Sequence, residues 1–268
     1  MKLVAIVRAV ANPEEAARAV ASATGLTLAE VRMRLAPEPP ALLARLEPEQ
    51  AALLVAALRK AGLAALAVDV RCPADRDRVV ARSFALGDGG LTLTPHGGAP
   101  VVLAWPEVTT ILRGLRASRA EVERAEKSRR FSVATAVATG GLKLTRTSTK
   151  TVRSSEETTE QVILLHARDG RAATLAEGQL EFNCLGAGMQ PTSTGNMGEL
   201  ARRLREKAPG AFYDERLLRL GRRPLPFLGG GDARSRTSTL ATTRTDTSDA
   251  LDALAEVMRQ GVAEGLLP

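Results

Sequence analysis

The side chains able to do chemistry are few and widely spaced in this chain. His96 and His166 are the only histidines among 268 residues, and neither stands at metal-ligand spacing from a Cys, Asp or Glu. His96 falls in a glycine-rich turn, "PHGG", and His166 in the apolar run "VILLHA". A Ser/His/Asp hydrolase would place its serine in a GxSxG elbow, which the sequence lacks. Cys72 and Cys184 are lone thiols that form neither a disulfide framework nor a CxxC metal site, the usage of a reducing compartment. In "NCLGAGMQ" no base adjoins Cys184, so packing at a strand end is its expected role. "GDGG" and "GGGD" are not phosphate loops, because neither GxxxxGK nor GxGxxG is present. No catalytic residue, metal site or cofactor is expected, and the chain reads as a non-enzyme.

Charge is the stronger signal. The formal net charge is +7, and the stretch 113–150 holds ten basic and three acidic residues, an excess equal to that of the whole chain. Residues 1–69 are nearly neutral. The candidate partner surface is therefore Arg113, Arg116, Arg119, Arg124, Lys127, Arg129 and Arg130 in the middle of the chain, with Arg18 near its start. An anionic membrane surface is one partner such a segment suits. Nucleic acid is not expected: one Trp, one Tyr and five Phe leave little stacking capacity, and no groove-reading motif appears. The apolar opening breaks at Arg8 and no run reaches the length of a membrane span, so a soluble cytoplasmic protein is expected.

The elements that position these residues begin with "KLVAIVRAV", which reads as a buried strand, with β-branched residues and a continuous apolar run. "NPEEAARAVASATG" has helix signals in order: Asn12 to cap, Pro13 at the first position, Glu14 and Glu15 in the first turn, Gly25 to end it. A second helix spans about 28–35, "ALLARL" is a short strand or an irregular turn, "EPEQAALLVAALRKAG" is a third helix, and "LAALAVDV" a closing strand. "ATGL" at 23–26, Leu28, Glu30, "PxAL" at 39–42, Ala51, Leu54, "AL" at 57–58 and "AG" at 61–62 resemble the C-terminal domain of the bacterial ribosomal stalk protein, whose fold the Clp adaptor shares. The resemblance implies that residues 1–70 form that small α/β domain. It also implies that the face on which stalk proteins dock elongation factors falls on Pro13, Glu14, Ala17, Arg18 and Ala21, of which only Arg18 is basic.

Beyond the charged linker "VRCPADRD" the period becomes two, with strands expected near 79–86, 90–95, 100–105 and 108–113 and turns at "GDGG" and "PHGG". "FALGDGGLTL…VVLAWPEVTTIL" resembles the opening meander of bacterial pleckstrin-homology or GRAM-like domains. That resemblance implies a barrel over 79–220, with Trp105 and Ile111 as core anchors, an insert at 114–159 and an end plugged by the helix of "NMGELARRLREKAP". Within the insert, the basic segment is expected to start as a helix and "LKLTRTSTKTVRSSEETTE" to form an exposed hairpin or mobile loop. Residues 221–248, rich in Pro, Gly, Ser and Thr, read as a flexible linker. A last helix, 249–266, carries Leu251, Leu254, Val257, Met258 and Val262 on one side and must dock on its own domain or on a partner. The expected fold class is α+β, and the expected function is protein–protein interaction or adaptor work with an unknown protein partner, or else peripheral binding to anionic lipid.

Overall fold

The computed structural model describes residues 1–9, 12–35, 38–131, 145–220, 233–236 and 240–268, with the side chains of all of these except 119–156, 220, 233–236 and 240–245. The chain divides into two compact units. The larger comprises 1–117, 159–230 and 247–268, the smaller 118–158 and 231–246. The division does not fall at 70–79, because residues 1–70 share a core with later parts of the chain.

In the larger unit, β1 (Lys2–Ile6) is flanked antiparallel by β2 (Ala41–Leu46) and β3 (Ala65–Asp69). Helices α1 (Pro13–Thr24), α2 (Leu28–Leu35) and α3 (Pro48–Lys60) connect them. The signals at α1 act as the sequence suggests. The Asn12 side chain accepts from the Glu15 N–H at 3.3 Å, and Gly25 ends the helix at φ 71°, its N–H returning to the Ala21 carbonyl. Alternation along β1 sends Val4 and Ile6 into the core beneath the three helices, with Ala17, Val20, Leu54 and Leu58. Leu3, Ala5 and Val7 enter a second core on the opposite face. This explains the unbroken apolar run.

That second face is covered by α6 (Ser248–Ala263), which follows α4 (Ser193–Lys207) and α5 (Leu217–Leu220) in the chain. Its Leu251, Leu254, Val257 and Met258 pack with Leu3, Leu66 and Val68 of the small sheet and with Leu112, Val162 and Leu164 of a larger one. Every residue from Ala250 to Met258 is buried. The apolar stripe read in the sequence thus docks within the unit, and both sides of the helix are used.

The larger sheet is built from β4 (Val79–Leu86), β5 (Gly90–Pro95), β6 (Val101–Ala104), β9 (Ala172–Ala176), β10 (Phe212–Asp214) and the adjoining parts of β7 (Val108–Phe131) and β8 (Thr145–Ala167). Its order is β7-β8-β9-β4-β5-β6, with β10 parallel to β7 and β4 parallel to β9 only at Val79 and Val80. α4 covers the face away from α6: Met197, Leu200 and Leu204 pack with Phe84, Leu93, Trp105, Ile111, Ile163 and Leu175. Trp105 and Ile111 are core anchors, and the indole N–H donates to the Gly87 carbonyl at 3.0 Å. Helices and sheets coexist as an α+β chain, but no sheet among the described residues closes. β6 pairs only with β5, so the expected barrel is left as an open sheet.

The smaller unit corrects two expectations and decides between the alternatives of a third. The basic stretch after Arg113 is not helical but continues as strand to Phe131, and the Ser/Thr-rich stretch from Thr145 is strand, as its hairpin alternative requires, rather than loop. In the second stretch the threonines at 145, 147, 149 and 151 suit a pleated ladder better than a helix, where β-branched residues lose side-chain freedom. Within the expected linker 221–248, β11 (Ala233–Arg236) and β12 (Leu240–Asp246) are strands, and β12 runs antiparallel to β7 from Asp246 opposite Ser118 to Leu240 opposite Arg124. The other residues of 221–239 lie outside the described residues.

Two glycines separate two kinds of constraint. Gly25 has open space around a Cβ but needs a left-handed backbone, whereas at Gly114, on β7 beneath α6, an added Cβ would lie 2.6 Å from Leu251 Cδ1 and 3.2 Å from Leu217 Cβ. Gly25→Ala should cost about 1 kcal/mol through strain. Gly114→Val should cost about 1–3 kcal/mol or more by overpacking. Urea unfolding of both variants measures the order, and equal losses would contradict it.

Candidate functional site

The most concentrated polar chemistry lies beneath α6. Asp252, Glu256 and Arg259, at i, i+4 and i+7, share the face turned toward the larger sheet and the segment before β4. Arg78, whose side chain is 1% exposed, bonds Asp252 at 2.5 Å and the Pro73 carbonyl at 2.7 Å. Arg116 on β7 forms a two-pronged pair with Asp75, at 2.6 and 2.8 Å, and Thr174 donates to the same carboxylate. Glu256 accepts both prongs of Arg259 and the Gln260 amide. Burial alone would raise the pKa of Asp75. The bonds and charge of Arg116, with Thr174 and Arg78, outweigh it and hold Asp75 below its ordinary value. For Asp252, burial prevails over Arg78 and Arg116 and lifts the group above the usual carboxylate range.

His166, 5% exposed, closes the row. Its Nδ1 lies 2.7 Å from Thr110 Oγ1, and its Nε2 is buried without a hydrogen-bond partner. Burial, then the charges of Arg78 and Arg259, push the imidazole down to about 3. A histidine so held stays neutral through the physiological range and does not shuttle protons there. Cys72 donates to the Asp69 carbonyl, and burial followed by the charges of Glu256 and Asp252 pushes its thiol up to about 12. It is no thiolate nucleophile. Cys184, on the 3₁₀ turn 183–188, is exposed. His96 stands in the turn after β5. No cluster of three His, Cys, Asp or Glu with metal-binding geometry occurs among the described residues.

Beside these elements lies a groove of about 490 Å³. It is lined by Trp105, Pro106, Val108, Thr109, Arg168, Lys207, Ala208, Pro209, Gly210 and Val262. Its walls are tied down: the Arg168 N–H donates to the Glu107 carbonyl at 2.8 Å, and the Thr109 hydroxyl to the His166 carbonyl at 3.0 Å. A second hollow, about 380 Å³, lies against the start of α1, where Asn12 and Glu15 already cap that helix.

The expected partner surface is not one surface. Arg113 and Arg116 point to opposite faces of β7. Arg113 is engaged by Glu215 at 3.1 Å and Gln161 at 2.8 Å, Arg116 by Asp75, and their side chains are 15% and 11% exposed. Neither is free for a partner, because each neutralises a carboxylate within the fold. Arg18 is exposed on α1, but Ala17 beside it is fully buried, which removes that residue from any docking face. Arg119, Arg124, Lys127, Arg129 and Arg130 all lie on β7 in the smaller unit, with side chains outside the described residues. Sequence reading passed over Asp75, Arg78, Asp252 and Glu256, and also Arg168 and Lys207. The acidic pair at 252 and 256, set on a helix otherwise apolar at its core positions, was the visible signal for the first group. Comparison with family models, with curated proteins and with solved structures gave no match.

The charged row generates two predictions. Asp252→Ala removes the closest counter-charge of the buried Arg78, leaving it Asp75 at 3.8 Å, and should cost about 3–5 kcal/mol, while Arg78→Met with Asp252→Leu should recover most of it. Chemical denaturation of the single and double variants tests this, and additive losses would refute it. The second prediction concerns acid. His166 titrates near 6.5 when unfolded and near 3 when folded, so the unfolded state binds the extra proton between those values. Stability is therefore whole above about pH 6.5 and declines as pH falls toward 3, by up to about 1.4 kcal/mol per pH unit. His166→Gln should flatten that slope by close to one proton between pH 6 and 4, and an unchanged slope would remove the assignment.

Proposed function

We propose that this protein is a non-catalytic interaction or adaptor protein acting in the cytoplasm. The reading is carried by one observation: the buried guanidinium and carboxylates of the larger unit, Arg78, Asp252 and Glu256, are bonded to oppositely charged groups of the same unit, so their charge serves the fold. The smaller unit holds twelve basic and seven acidic residues, a net +5 of the chain's +7. Charge available for recognition is thus concentrated there, and it suits an acidic protein partner. The likeness of residues 1–70 to the stalk domain and of 79–220 to pleckstrin-homology-like domains fits this reading, since neither fold carries catalysis by itself. No helix among the described residues is long and apolar enough to cross a membrane.

The same charge excess favours a second reading, peripheral attachment to anionic lipid. One experiment separates the two. The full chain and a variant with Arg119, Arg124, Lys127, Arg129 and Arg130 changed to Gln are used as bait on native cytosol and mixed with phosphatidylglycerol vesicles. A protein retained stoichiometrically by the wild type and lost by the variant supports the adaptor reading. Salt-sensitive flotation with vesicles, without such a protein, supports the lipid reading. Indifference of both assays to the five substitutions would overturn both.

A further inference from the structure

We infer that the groove bounded by Trp105, Val108, Arg168, Lys207 and Val262 is a docking site for an acidic peptide segment of a partner protein. An apolar side chain would lie on the groove floor, with a carboxylate reaching the two cations. This rests on the interaction-protein reading but concerns the larger unit and does not depend on the basic strand of the smaller one.

The floor comprises Trp105, Pro106, Val108, Ala208, Pro209 and Val262, and no carboxylate is among the ten lining residues. At about 490 Å³ the groove falls in the range that holds small ligands and anchor side chains. Its two charges are both positive. Arg168 is exposed, and its guanidinium has no partner among the described residues. Among the described residues Lys207 meets only Asp88, at 3.3 Å; Asp88 stands fully in water and the Lys207 side chain is 41% exposed. Exposed pairs of that kind contribute little, so an incoming carboxylate exchanges readily for Asp88. The site is pre-formed: Trp105 is held by the Gly87 carbonyl, Thr109 by His166 and the Arg168 main chain by Glu107. Little ordering is then required on binding.

Charge complementarity favours a single carboxylate on an apolar anchor over an extended anionic surface. Asp88 is fully exposed beside Lys207, and Glu107 adjoins the floor residue Pro106 in sequence. A membrane plane would press phosphates against these acids, whereas a peptide places one negative group between the two cations.

The test uses the full chain. Random peptides displayed on phage are selected on the wild type and on Arg168→Gln/Lys207→Gln, and the enriched sequences are then titrated as free peptides. Trp105, the only tryptophan, reports occupancy by its fluorescence. Enriched peptides should pair Asp or Glu with a large apolar residue and shift Trp105 emission saturably. The double variant should bind them about tenfold more weakly, roughly 1.4 kcal/mol, with its melting temperature unchanged. Should that variant unfold, Arg168→Gln and Lys207→Gln taken singly supply the same comparison, since both side chains are exposed. Enriched peptides without acidic residues, or equal binding by the variants, would overturn the inference. So would phosphatidylglycerol vesicles shifting Trp105 emission in place of peptides. A dimer dispersed by the double variant would assign the groove to a second copy and likewise overturn it. If cytosolic capture through the smaller unit persists while the peptide selection fails, only this inference falls.

Discussion

Arg78, less exposed than any other charged side chain beneath α6, fixes what its neighbours must be. A guanidinium withdrawn from water costs several kcal/mol unless opposite charge and hydrogen bonds meet it. Asp252 and the Pro73 carbonyl meet it directly, with Asp75 3.8 Å away. Asp75 then requires Arg116, and that pair, with Thr174, fastens the segment before β4 to the larger sheet. Removing one member leaves another unpaired. Replacing such a row by apolar residues of equal volume is often neutral or stabilising, whereas removing one partner alone is costly. Gly114 adds a steric constraint, since Leu251 occupies the space its side chain would fill.

α6 is consequently a helix with three faces in use. Leu254, Ala255 and Met258 share a core with the small sheet, Leu251 meets Gly114 of β7, and Asp252 meets the buried Arg78 while Glu256 holds Arg259 and Gln260. Its first turn is anchored reciprocally, the Thr247 N–H donating to the Ala117 carbonyl and the Ala117 N–H to the Thr247 hydroxyl. This places the last element of the chain at the centre of the larger unit. The first seventy residues have the second face of their sheet covered by it. Helices α1, α2 and α3 cover only one face of that sheet. The opposite face is apolar as well, at Leu3, Ala5, Val7, Leu66 and Val68, and it requires a cover.

Local signals were legible in the sequence and partner-dependent ones were not. Asn12, Pro13 and Gly25 determine the ends of α1 through bonds within a few residues, so their pattern sufficed. β4 to β7 alternate with period two and are broken by turns, and Trp105 entered the core as its apolar bulk demands. The basic stretch 116–131 misled because "RAEVERAEK" combines good helix formers with helix-like charge spacing. Its pairing partner β12 lies more than a hundred residues later in the chain, and tertiary context overrides propensity in such a segment. The partner surface misled for a related reason. A count of Arg residues does not reveal which of them face carboxylates, and Arg113 and Arg116 do so on opposite sides of one strand.

Charge in this molecule therefore has two separable roles. Where a cation is buried it meets a carboxylate of the same chain, and its removal affects folding. Where it stands at the groove rim, as Arg168 and Lys207 do, its loss leaves the core intact and changes only what the groove attracts. Sequence composition sums the two into a single net value, +7, although the first kind cancels locally and contributes almost nothing to the outward field. The uncompensated remainder is what a partner meets: the excess carried by the smaller unit, and two exposed cations above an apolar floor. A steering field from the former falls off within about 8–10 Å at physiological ionic strength, whereas the latter acts at contact distance. Long-range attraction and local selection of a partner can thus be altered independently, each by substitutions remote from the charged row that holds the larger unit together.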